Sequence, residues 1–201
     1  MPPNPKFTKT EIIDKAFQIA RRQGIDKITA RELGNQLGSS ARPVFTVFKS
    51  MDELKEEVVT AAKALYTQYV TKGLQAKLAF QGVGLAYIAF AIEEPLLFQL
   101  LFMRAPSGAE SKSNEVNVEK ILPVIDENYD AILRSVQIPH GLSYQAAKRI
   151  YQHLWTYSHG IAAMCATGLC SYSIEQITER MAEVFKGLML LEKTEDNDDK
   201  A

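Results

Sequence analysis

Cysteine is scarce: the 201-residue chain has two, Cys165 and Cys170, too few for a disulfide framework. A reduced, cytoplasmic location is the simpler expectation. Long apolar runs are also missing. The richest region, residues 78–92, contains Gln81, Gly82 and Gly84 and falls short of a membrane span. The opening MPPNPKFTK lacks the apolar segment of a secretory leader, so none is expected, and no membrane partner with it. Catalytic signatures are absent too: there is no nucleophile elbow, phosphate-binding loop or carboxylate pair at a meaningful spacing. His153, His159, Cys165 and Cys170 are spaced by six, six and five residues. Such spacing does not stack ligands on one helix face as three or four would, so neither metal nor cofactor is expected. β-like alternation is lacking throughout.

What is present is helical punctuation. Thr8-x-x-Glu11, Thr29-x-x-Glu32 and Ser50-x-x-Glu53 are capping boxes, in which hydroxyl and carboxylate satisfy free N–H groups at a helix start. The first opens a helix with Ile12, Ile13, Ala16, Phe17 and Ala20 on one side, ended by Gly24. The second opens a short helix with Leu33 and Leu37 buried. Gly38 stops it, and Ser39 or Ser40 caps another helix with Pro43 in its first turn. Val44, Val47 and Phe48 form the apolar side of that helix, leaving Ser40, Arg42, Thr46 and Lys49 outward. Helix, tight turn, helix with small polar and basic outward groups is the layout of a helix-turn-helix that reads a DNA groove.

Charge is uneven. Residues 1–49 carry nine Lys/Arg against four Asp/Glu, and residues 50–201 carry fourteen against twenty. A basic head on an acidic remainder suits a phosphate-facing module joined to a body that faces something else. The third capping box starts a longer helix to about Thr71 on Leu54, Val58, Ala61, Ala62, Leu65 and Tyr69, broken by Gly73. Residues 75–93 are apolar nearly all round, which implies burial on most sides. Pro95 marks a boundary, residues 96–103 form a short helix, and 105–114 a loop. A helix from about Val116 to Gln137 with Pro123 near its start, a turn at 138–141, a helix capped by Ser143 to about Gly168 and a last helix capped by Ser173 complete the series. The expected fold is all-α with about nine helices. Its parts are a head (1–50), a connecting helix (51–72), a ligand-binding and dimerisation domain (73–193) and an acidic, frayed tail (194–201).

Residues 12–58, from IIDKAFQIARRQG through TARELGNQLGSSARPVFTVF to KSMDELKEEV, resemble the TetR family of bacterial transcriptional repressors. WTYSHGIAAM (155–164) is similar, over a shorter stretch, to the Trp…His-Gly signature of one group of that family. The resemblance implies an all-α homodimer binding a palindromic operator and released by a small apolar or amphipathic effector. On it, Arg42, Pro43 and Thr46 face bases, with Phe45 split between core and sugar-phosphate. Lys6, Lys9, Thr29, Arg31, Ser39, Ser40, Arg42 and Lys49 are the phosphate candidates. Three positions depart from the family: Phe45 stands for a usual Tyr, Val47 for a frequent His and Met51 for a frequent Lys. The losses leave open an alternative, a dimeric ligand- or protein-binding module with weakened DNA binding.

Phe98, Phe102, Met103, Tyr151, Trp155, His159 and Met164 are the candidates for an apolar effector pocket. Plain core is the bland reading of the same residues. Small residues (Gly160, Ala162, Ala163, Ala166, Gly168) and an apolar stripe (Ile174, Ile177, Met181, Phe185, Leu188) place a homodimer interface on the last two helices. The competing reading is that both stripes face their own domain.

Overall fold

The computed structural model describes residues 6–104, 122–123 and 126–198, with side chains to residue 192. Among these residues there are eight α-helices and no strand: α1 (Lys9–Gln23), α2 (Ala30–Gln36), α3 (Met51–Leu74), α4 (Ala79–Glu93), α5 (Pro95–Phe102), α6 (Tyr129–His140), α7 (Tyr144–Ala166) and α8 (Ile174–Asp198). Short 3₁₀ turns occupy Ile25–Lys27 and Val44–Thr46. The first turns of the expected helix beginning at Val116, residues 116–121 with 124–125, and the loop before it lie outside the described residues; in the remainder, Asp126 to Asn128 are not helical and α6 starts only at Tyr129. No single described helix is long and apolar enough to cross a membrane.

The chain divides into two compact units, residues 1–65 with 94–104, and 66–93 with 105–201. In the first, Ile12, Ala16, Ile19 and Ala20 of α1 form the buried stripe that the capping box at Thr8 and Glu11 launches. Leu33, Val44, Phe48, Leu54 and Val58 are buried in the same unit. The unexpected member is α5. Its Leu97 and Phe98 are fully buried, and α5 packs against α1. Arg21 donates from Nε to Glu94 at 2.6 Å and pairs through its second guanidinium nitrogen, while Arg104 pairs with Asp26 at 2.7 Å. These long-range pairs draw residues 94–104 away from the ligand-binding domain to which they were expected to belong.

In the second unit α4 packs against α6, α7 and α8, as its nearly continuous apolar surface requires. Val83, Tyr87, Ile88, Phe90 and Ala91 are buried, whereas Leu78 and Ile92, at its two ends, are exposed. Gly73 does not break α3, which continues to Leu74. Its role is steric: a Cβ there would sit 2.7 Å from the carbonyl oxygen of Gly82 in α4, and one on Gly82 would sit 2.3 Å from that of Gly73. Two backbones touch where side chains would keep them apart. α6 runs through the segment expected as a turn, with Pro139 in its last turn and Gly141 left-handed after it. α7 and α8 start at Ser143 and Ser173 as expected, and Ser173 and Gln176 cap each other reciprocally. The last helix extends to Asp198, so residues 194–198 are helical where a frayed tail was expected.

The Gly73→Ala variant loses stability despite the higher helix propensity of alanine. A gain of about 1 kcal/mol from propensity is outweighed by about 1–3 kcal/mol of overpacking against backbone that cannot rotate away. A lowered urea midpoint checks it; an unchanged or raised midpoint would show that the helices separate freely.

Candidate DNA-reading face and effector cavity

Residues 29–49 begin with Thr29, whose hydroxyl accepts the Glu32 N–H at 3.1 Å. The return half of the expected box is not made: the Glu32 carboxylate accepts instead from the Gln36 side chain. At the other end Gly38 is left-handed (φ +59°), its N–H reaches Asn35 O, and the Ser39 N–H reaches Gly34 O at 2.9 Å. That pair of bonds is a Schellman closure. Gly34 was not singled out from the sequence, yet a Cβ there would lie 2.9 Å from the carbonyl carbon of Ser40. The turn crosses α2 with no room for a side chain.

The second helix of the pair is a correction. From Val44 to Val47 each N–H bonds three residues back, to Ala41, Arg42, Pro43 and Val44 in turn, which is a 3₁₀ turn and not an α-helix. Pro43 precedes it as cap residue, and neither Ser39 nor Ser40 caps it. Val44 and Phe48 are fully buried and Val47 is half-buried, so the apolar anchor lies where it was expected. Arg42, Phe45, Thr46, Ser40 and Lys49 are exposed, Phe45 to 51%. Pro43 is half-buried beside them.

Bonding sorts the expected phosphate contacts. The Thr46 hydroxyl donates to Pro43 O at 2.7 Å, which spends its proton inside the turn. Lys6 Nζ donates to Ser39 Oγ at 3.3 Å, so the arm reaches this turn. Lys9 instead pairs with Glu57 and lies 5.6 Å from the centre of the Phe48 ring. Its charge is already matched. Arg31 is exposed on α2.

The second unit holds a cavity of about 460 Å³ lined by residues of α3, α4, α6, α7 and α8. Of the expected pocket residues, Tyr151 and Trp155 line it. Phe98, Phe102 and Met103 do not, because α5 belongs to the first unit, where Phe98 is core and its ring lies 5.2 Å from that of Phe102, tilted by 45°. Met164 is half-buried and away from the wall. His159 stands behind the wall. Its Nδ1 is 2.9 Å from the Tyr87 hydroxyl, and its ring stacks on Trp155 with centroids 5.1 Å apart and planes 17° from parallel. Burial lowers the pKa of His159 and raises that of Tyr87. A neutral imidazole accepting from a protonated phenol satisfies both shifts, which places the imidazole proton on Nε2.

Most of the lining was missed, and Tyr66, Tyr87 and Asp126 are the missed residues that carry its polar chemistry. Asp126 is 4% exposed and accepts from the Tyr66 hydroxyl at 3.1 Å and from the Asn128 N–H at 2.9 Å. Burial raises its pKa, and Tyr66 is pushed well above the ordinary phenol range, chiefly by burial. Tyr66 was detectable, since it continues the strict four-residue ladder Leu54, Val58, Ala62, Tyr66, Val70 along α3. Asp126 carries no comparable pattern.

On the last two helices the small residues and the apolar stripe differ in exposure. Gly160, Gly168 and Ile174 are exposed, and Leu190 and Leu191 join them, but Ala162, Ala166, Ile177 and Met181 are buried within their own unit. Among the described residues no group of three or more His, Cys, Asp or Glu is placed to hold a metal ion. Compared with known proteins, the chain matches no family model and no curated protein.

Because burial depresses the His159 pKa, its neutral form favours the folded state at neutral pH. That contribution is lost as pH falls below the ordinary imidazole value of about 6.5. The emission of Trp155, the single tryptophan, therefore stays constant from pH 8 to about 6.5 and is quenched only at lower pH, as the stacked imidazolium forms. His159→Gln removes the step; a midpoint above 6.5, or a step surviving the substitution, would contradict the pairing.

Proposed function

We propose that the chain is a TetR-type transcriptional regulator: a non-enzymatic homodimer that holds an operator through residues 29–49 and releases it when a small amphipathic effector occupies the second unit. The supporting observation is the 3₁₀ turn, whose buried Val44 and Phe48 leave Arg42 and Thr46 outward on a head of net positive charge. Arg42 is suited to a bidentate contact with guanine. Thr46, its proton committed to Pro43 O, is suited to a thymine methyl more than to a phosphate. Ser40, Lys49, Arg31 and the Lys6–Ser39 pair are the remaining phosphate contacts; Lys9 drops out of that set by its bond to Glu57.

On the effector side, a mostly apolar cavity of about 460 Å³ lies within the usual range of small-molecule sites, roughly 300–1,000 Å³. α3 supplies residues to both units, with Leu54 and Val58 in the head and Tyr66 in the cavity wall. It is the element through which occupancy biases the head, as a population shift between DNA-competent and incompetent dimers. The homodimer itself draws on the exposed Gly160 of α7 and Ile174, Leu190 and Leu191 of α8.

A second reading, a dimeric ligand- or protein-binding module with a weakened grip on DNA, is favoured by the exposed Phe45 and the neutralised Lys9. The two separate in a gel shift on duplexes selected from a random pool, run at two salt concentrations. The regulator gives salt-dependent retention. Arg42→Ala weakens it by about 1–3 kcal/mol, and Lys49→Ala lowers the salt slope by about one. No retention at either salt, or indifference to Arg42→Ala, would favour the second reading.

A further inference from the structure

Three hydroxyl groups around the cavity find their partners within the protein. Tyr66 donates to Asp126, Tyr87 bonds His159, and the Ser158 hydroxyl donates to Leu154 O at 2.7 Å. The hydroxyl protons of these three residues are thus spent within the protein. Asp126 keeps acceptor capacity beyond the bonds it already makes. A carboxylate has about four lone-pair sites, and Tyr66 and the Asn128 N–H do not use them all.

The charge of that carboxylate is the sharper feature. Among the described residues no cationic side chain pairs with Asp126, although it is 4% exposed. A buried carboxylate without a counter-charge is costly. The surrounding wall is aromatic, with Tyr66, Tyr87, Tyr151 and Trp155 presenting rings to the lumen side of α3, α4 and α7. Ring faces attract cations and do nothing for anions. The cationic groups of the cavity, Lys77 and Lys186, are exposed and stand at its rim.

We propose that the cavity is a receptor for an amphipathic organic cation, whose ammonium group is held by Asp126 among the tyrosines and whose apolar body fills the space against α4 and α7. Its service as an effector site rests on the regulator reading above; the recognition of a cation does not. Bound ammonium supplies a counter-charge that no described residue gives Asp126 and donates to its remaining lone pairs. Because Tyr66 of α3 bonds the same carboxylate, the occupant acts directly on a partner of that helix.

The test uses the full chain and three probes of equal length: decylammonium, decanol and decanoate, each titrated against Trp155 fluorescence. A charge-assisted bond to a buried carboxylate predicts decylammonium binding about tenfold or more tighter than decanol, with decanoate weakest. Asp126→Asn abolishes the preference while leaving decanol binding within about twofold. Tyr66→Phe, which keeps the charge, retains the preference. If the Asn variant does not fold, the order of the three probes on the parent protein decides. Equal or tighter binding of decanol or decanoate, or a preference that survives Asp126→Asn, overturns the proposal. Release of a retained duplex is scored separately. Cation binding without any effect on duplex leaves the site standing and removes only the regulator reading.

Discussion

Burial of Val44 and Phe48 is the constraint on which the head depends. A three-residue 3₁₀ turn has too few internal bonds to hold itself, so its orientation is set by what its side chains are packed against. With two large side chains fixed in the core, the opposite face, carrying Arg42 and Thr46, has one presentation to solvent. The closure at Gly38 and the crossing at Gly34 act with that anchor, because they decide where the chain leaves α2. Removing the anchor would leave the same residues exposed but unoriented. A reading surface cannot tolerate that loss.

In the second unit the corresponding constraint is electrostatic. Around a mostly apolar cavity the wall holds one buried carboxylate, bonded to a tyrosine of α3 and a backbone amide. Packing tolerates many alternatives of similar volume. A buried charge does not, since its partners must be present and oriented. Asp126 therefore defines the chemistry of the cavity more sharply than the aromatic residues around it do, and the Tyr87–His159–Trp155 cluster keeps one wall of that cavity fixed.

Local signals were legible in the sequence and long-range ones were not. Thr8, Thr29, Ser50, Ser143 and Ser173 each mark a helix start because a cap needs only residues within one turn. The reciprocal bonds were less regular: Glu53 accepts from the Lys49 N–H, one residue ahead of the Ser50 N–H that the pattern implied. Gly73 looked like a breaker, and its function is a contact with Gly82 that no local pattern announces. α5 looked like pocket lining from its composition, yet Arg21–Glu94 and Arg104–Asp26 assign it to the head. Tyr151 and Trp155 were found from helical spacing. Asp126 was not, because a carboxylate within an expected helix reads as solvated until its burial is known.

The most direct measurement is a titration of isotope-labelled full-length protein with duplex DNA, followed by backbone amide chemical shifts. The account predicts the largest changes at residues 29–31 and 39–49, with Arg42 and Thr46 foremost, and an effect that weakens as salt is added. Shifts absent from that face, or confined to residues remote from it while the protein stays folded, would contradict the claim that this face meets a duplex.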